Sequence, residues 1–136
     1  MLGAVERSVL SLPAEKEEGA PYIGLKYFHH EHECFSMWTA DELKQFSAFN
    51  RKVNSLRWEE IIATGGRKGT KQGLGCTHLS QAAVAKLPHP RELKKLSPDL
   101  QFLEMRITKK ARAIGFRLKA VFFLVWLDRN HDTFPV

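Results

Sequence analysis

The sequence is poor in three things. It holds two cysteines, Cys34 and Cys76, too few to imply a disulfide framework. One bridge is chemically open, and two reduced thiols are the simpler expectation. Its apolar run Val121 to Leu127 has seven residues, far short of the ~20 that a membrane-crossing helix needs. Between Met105 and Leu127 there is no acidic residue, while six basic ones fall there: Arg106, Lys109, Lys110, Arg112, Arg117 and Lys119. Internal repeats and low-complexity segments are also absent, which excludes solenoid and linker-like readings. The first twenty residues carry Glu6, Glu15, Glu17 and Glu18, unlike the basic and then apolar start of a secretory signal. The expectation is a cytoplasmic protein with no membrane partner.

What is present fits a single globular domain. The chain has 136 residues, 43% hydrophobic and 26% charged, with a net charge of +6 and a pI near 9.5. A basic balance favours acidic partners, whether nucleic acid, an anionic surface or an acidic protein. Residues 1–20 lack a sustained period and read as a loose tail; residues 21–136 read as one α+β domain.

Pro21 to Phe28 alternates Ile23, Leu25 and Tyr27 with Gly24 and Lys26, the pattern of a first strand. Thr39 to Glu42 matches a capping box. Leu43, Phe46, Phe49, Val53 and Leu56 follow at helical spacing. A second helical piece runs from Leu56 to Thr64 and stops at Gly65 and Gly66. Gly65 to Gly75 is a glycine-rich basic loop holding Arg67, Lys68 and Lys71. Short helical pieces are expected over Ser80 to Lys86 and Pro90 to Leu96. Then Leu103, Met105 and Ile107 alternate with Glu104, Arg106 and Thr108. Ile114, Phe116 and Leu118 alternate with Gly115, Arg117 and Lys119, and the apolar run follows. The expected class is α+β, two-layered, with amphipathic helices packed on a mainly antiparallel sheet in the order β-α-α-β-β-β.

That order resembles the RelE/ParE superfamily of small bacterial toxins. Leu103 to Ile107 (LEMRI) is similar to the family's third-to-last strand with its leucine-arginine pattern. Arg112 to Phe116 (RAIGF) is similar to the arginine-led strand that follows, and Val121 to Leu127 to the buried strand after it. The resemblance spans Tyr22 to His131 in topology and the last thirty residues in motif. Two departures stand out. The chain ends its last apolar strand in Asp128, Arg129, Asn130 and His131, where the family usually has lysines, and the Gly65 to Pro90 insertion is long. The resemblance implies a toxin of a toxin-antitoxin system that cleaves RNA or binds RNA or the ribosome through a basic sheet surface. It would pair with an acidic antitoxin. Several members of the family are ribonucleases and others poison gyrase. The alternative is a non-catalytic nucleic-acid-binding module using the same basic sheet, or a partner-binding module whose basic face docks an acidic chain such as an antitoxin.

Cleavage at a ribose 2′-hydroxyl needs a proton acceptor, a cation for the phosphorane and a proton donor for the leaving oxygen. Histidine suits proton transfer. Arginine suits the phosphorane, because its planar fork gives two hydrogen bonds and stays charged. Arg112 opens one strand and His131 follows the end of the next, so an antiparallel pair brings them together. Arg106 joins them if its face is the same. These three are the catalytic candidates, with no cofactor and no metal required. Lys109, Lys110, Arg117, Lys119, Arg67, Lys68 and Lys71 are the candidates for tracking a nucleic-acid backbone. The plainer alternative makes Arg106, Arg117 and Lys119 ordinary solvent-facing strand residues, and Asp128 and His131 parts of a capped turn. His30, His32 and Cys34 would share a face if the first strand reached them, a possible zinc set; a solvated polar connector is the expectation. Trp58 and Trp126 lie on apolar stripes and read as core rather than base-stacking platforms.

Overall fold

The computed structural model describes residues 21–63, 74–96 and 99–133. The expected tail over residues 1–20, and the loop residues Arg67, Lys68 and Lys71, lie outside them. The elements are β1 (Tyr22–Gly24), a 3-10 turn (Phe35–Met37), α1 (Ala40–Ser55) and α2 (Trp58–Ala63). They continue with β2 (Thr77–His78), α3 (Gln81–Val84), α4 (Arg91–Lys94), β3 (Phe102–Arg106), β4 (Arg112–Leu118) and β5 (Val121–Asp128). The strands form one five-stranded sheet in the order β1-β5-β4-β3-β2. β1 runs parallel to β5, and the other three pairings are antiparallel. The α+β class with a mainly antiparallel sheet is therefore observed. Among the described residues no helix is long and apolar enough to cross a membrane.

α1 starts where its capping chemistry dictates. The Thr39 hydroxyl accepts from Glu42 N–H at 3.2 Å, and the Glu42 carboxylate accepts from Thr39 N–H at 2.8 Å. Two orphan donors of the first turn are thereby satisfied. Phe49 and Val53 are the fully buried part of its stripe, and Phe46 and Leu56 pack beside them. Leu43, at the start of the stripe, stays exposed. α2 is pinned to the sheet by the buried Trp58, whose indole N–H donates to the Ala120 carbonyl at 3.1 Å.

β5 lies inside the sheet between β1 and β4, and all eight of its residues are buried. A strand covered on both faces has no polar side, so its sequence reads as a continuous apolar run. One face meets α1 and α2 through Leu103, Met105, Ala113, Phe122, Leu124 and Leu127. The other meets Val84, Leu87 and Leu93, from α3, α4 and the segment between them, through Phe102, Ile114, Phe116 and Trp126. This second face is closed by a thin cover of short helices and by Tyr27, whose ring meets Phe123 edge-on at 5.2 Å and lies tilted 5.5 Å from Phe116.

The structure shortens the expected first strand and adds three features that the sequence pattern does not show. The first strand ends at Gly24 rather than Phe28. The chain turns there, with Phe28 N–H on the Leu25 carbonyl, and meets β5 again where His29 N–H donates to the Val125 carbonyl at 2.8 Å. Tyr27 and Phe28, beyond its end, serve core packing, while Tyr22 pairs with Val121 and stays exposed. A two-residue edge strand, Thr77–His78, pairs with β3; two residues carry no period to read. β4 and β5 slip register between Ile114 and Gly115, leaving Val125 as the extra residue of a bulge. Gly115 is required there, since a Cβ would lie 1.9 Å from the Phe123 carbonyl oxygen. The turn between β4 and β5, which lacks glycine and asparagine, is made by Lys119 at φ 55°.

Candidate functional site

Strand register sets the site. Arg106 faces Arg112, Arg112 faces Asp128, and Glu104 faces Ile114, which faces Trp126. Side chains two apart on a strand share a face, so Glu104, Arg106, Arg112 and Asp128 all stand on the face of the second core, at the end of the sheet near the β3–β4 turn. Asp128 is fully buried. Its two carboxylate oxygens accept the N–H groups of Asp132 at 2.8 Å and Thr133 at 2.9 Å. This folds the chain back after β5 and puts His131 in the left-handed region at φ 58°. His131 thus reaches over β4, and its Nε2 lies 3.6 Å from Glu104 Oε1. That is an ion-pair distance, longer than a hydrogen bond.

The pair is nearly enclosed, with side-chain exposures of 10% for Glu104 and 17% for His131. Glu104 Oε2 and His131 Nε2 are buried without a hydrogen-bond partner among the described residues. Burial pushes the Glu104 carboxyl above the usual glutamate range. His131 and Arg112 act against that shift and Asp128 adds to it. Burial likewise pushes Arg112 down, opposed by the Glu104 carboxylate and joined by the Arg106 charge. An arginine remains cationic through such a shift.

Arg112 carries a structural duty as well. Its Nη1 donates to the carbonyls of Thr108 at 3.0 Å, Lys109 at 3.2 Å and Ala111 at 3.1 Å, tying down the β3–β4 turn. The Thr108 hydroxyl braces the same turn by accepting from the N–H groups of Lys110 and Ala111. The Arg106 guanidinium packs over Gly75, which sits at φ +58° and where a Cβ would lie 3.1 Å from Arg106 Nη2.

The basic residues divide between the two ends of β4. Arg106, Lys109, Lys110 and Arg112 gather at the β3–β4 end, with Lys109 and Lys110 exposed. Arg117 and Lys119 stand at the far end, about 20 Å away at about 3.3 Å per strand residue. There the Arg117 guanidinium lies 4.7 Å over the Trp58 ring, and its Nε donates to the Lys119 carbonyl at 3.0 Å. They belong to the helix-anchoring end of the fold and not to the Glu104–His131 cluster. All three tryptophans are buried.

The histidine-rich connector packs against the turn that carries His131. His32 Nε2 lies 3.1 Å from Thr133 Oγ1, and the Glu33 carboxylate accepts from Arg129 N–H at 2.9 Å. Arg129 Nε donates to Glu42 at 2.7 Å, binding the turn to the start of α1. His30, His32 and Cys34 lie beyond the end of β1, so no strand aligns them. Among the described residues, no group of three or more His, Cys, Asp or Glu side chains converges as a metal site. Both cysteines are free.

Glu104 is the member of the cluster that sequence reasoning missed. In an alternating strand it reads as a solvent-side partner of Leu103 and Met105. Its signal was available: it is the last carboxylate before the acid-free stretch, one pleat from Arg106. No protein-family model matches the chain, and no curated protein or solved structure matches it significantly.

Proposed function

We propose that the protein is an endoribonuclease of the toxin type, working without a metal at the Glu104–His131 end of the sheet. The single observation that carries this is the meeting of a buried carboxylate and an imidazole at 3.6 Å, with Arg106 and Arg112 on the same face. In this reading Glu104 takes the proton from a ribose 2′-hydroxyl. The 2′-oxygen attacks phosphorus, and the bond to the 5′-oxygen breaks as protonated His131 delivers a proton to it. The products are a 2′,3′-cyclic phosphate and a 5′-hydroxyl. Arg106 and Arg112 carry the charge that builds on the phosphorane. The RelE/ParE resemblance is supported by the element order, which is β-α-α-β-β-β once the edge pair Thr77–His78 and the short helices α3 and α4 are set aside as insertions. It brings the ribosome or free RNA as substrate and an acidic antitoxin as partner.

A second reading has its own observation. Arg112 is engaged by three turn carbonyls, and the Glu104–His131 pair is nearly enclosed, as a purely structural pair would be. Here the protein binds RNA or an acidic partner and cuts nothing. Incubating the protein with RNA, with and without ribosomes, and determining the ends of the products separates the two. Cyclic phosphate and 5′-hydroxyl ends support the nuclease. Intact RNA in both settings leaves the binding module.

A further inference from the structure

A cleft of about 400 Å³ opens on the other side of Arg106, between α1 and the β3–β4 turn. Its rim holds Lys52 from α1, Arg106 from the end of β3 and Lys109 from the turn, and among the described residues no carboxylate lines it. Leu74 and Ile107 supply an apolar floor. Gln45, two helical turns before Lys52, brings a carboxamide that both donates and accepts. Three cations from separate elements around one concavity repel each other unless an anion sits among them. A phosphate can take all three at once through its several oxygens. The apolar floor and the carboxamide suit the ring and polar edge of a base, and the volume lies in the range of small-ligand pockets.

We propose that this cleft holds one nucleotide of single-stranded RNA next to the one being cut. Its phosphate lies among Lys52, Arg106 and Lys109, its base over Leu74 and Ile107, and Gln45 meets the base edge. This rests on the RNA reading above. Arg106 links the two places, because it stands on the face of Glu104 and also lines the cleft. In this proposal a strand passes from one phosphate to the next around this residue. An acidic protein segment fits less well, since a carboxylate has two oxygens and brings no ring for the floor.

The test titrates the whole protein with a short 2′-O-methyl RNA, which cannot be cut by its own 2′-oxygen, across about 50 to 200 mM salt. Lys52→Ala and Lys109→Ala are compared with Lys94→Ala on α4, with a thermal melt of each. The expected result is weaker binding for the two cleft variants, each lowering the slope of log affinity against log salt by about one, with Lys94→Ala unchanged. Lys52→Gln replaces Lys52→Ala if the latter lowers the melting temperature. Wild-type binding that the cleft variants leave intact overturns the cleft and spares the nuclease reading. Cleft-dependent binding by a protein that never cuts RNA keeps the cleft and removes the nuclease. No RNA binding at the lowest salt overturns both, and poly-glutamate binding lost in the same variants would then assign the cleft to an acidic protein.

Discussion

Glu104 on β3 and His131 beyond β5 meet across the intervening strand, Oε1 to Nε2 at 3.6 Å. The contact depends on a backbone that most residues avoid. His131 sits at φ 58°, where a side chain costs roughly 1 to 2 kcal/mol that glycine does not pay. Strain of this kind is typical of positions whose side chain must be aimed.

The strain predicts a separation of stability from activity at one position. His131→Gly should be more stable than His131→Ala by about 1 kcal/mol, because both lose the imidazole and only glycine relaxes the backbone. Chemical denaturation of the two variants measures it. Equal stabilities would mean that the turn is not held in the left-handed region.

Glu42 should give the fold an acid-sensitive clasp. Its hydrogen bond from Arg129, followed by that from Thr39, holds its carboxyl down from 4.5 to about 2. A lowered carboxylate contributes stability that is present above its unfolded pKa and lost as pH falls through its folded one. The contribution should therefore fade between about pH 4.5 and 2. Glu104 and Glu33 are pushed the other way by burial, so their contribution is present at low pH and is lost as pH rises. Melting Glu42→Gln beside wild type across this range isolates the clasp: the difference between them should shrink towards pH 2. A constant difference would contradict it.

Gly115 marks the bulge between β4 and β5. Gly115→Ala would place a Cβ 1.9 Å from the backbone oxygen of Phe123, an atom that cannot swing aside as a side chain can. Overpacking of this kind costs typically about 1 to 3 kcal/mol and occasionally more, and the upper end is expected here. A loss below about 0.5 kcal/mol in denaturant, the size of an ordinary surface change, would mean that the register shift is absent.

The parts of the fold that were legible carried a local signal. Thr39 and Glu42 announced α1, the unbroken run Val121 to Leu127 announced a buried strand, and the alternation of Leu103 and Met105 announced β3. The faces were harder. Polar positions opposite Leu103 and Met105 were read as facing solvent, but α3, α4 and Tyr27 cover that side. Glu104 therefore points into a second core, where its burial is what makes it a candidate. Arg106, Arg112 and His131 do gather as antiparallel pairing predicts. Arg117 and Lys119 do not, because a strand carries its two ends apart and a charge count along the chain ignores that distance. The bulge at Gly115 and the edge pair Thr77–His78 depend on contacts between distant segments, which no local pattern encodes.

The most direct test of the nuclease reading is the rate of RNA cleavage by wild type, Glu104→Gln, His131→Gln and the double variant, at fixed salt and with a melt of each. If the pair shuttles the proton, each single change should slow cleavage by roughly 10²- to 10⁴-fold. The double variant should then fall well short of the product of the two losses, as groups that act as a unit do. RNA affinity should stay near the wild-type value in all three. Cleavage at full rate in either folded single variant, or no cleavage by wild type with or without ribosomes, would contradict the account.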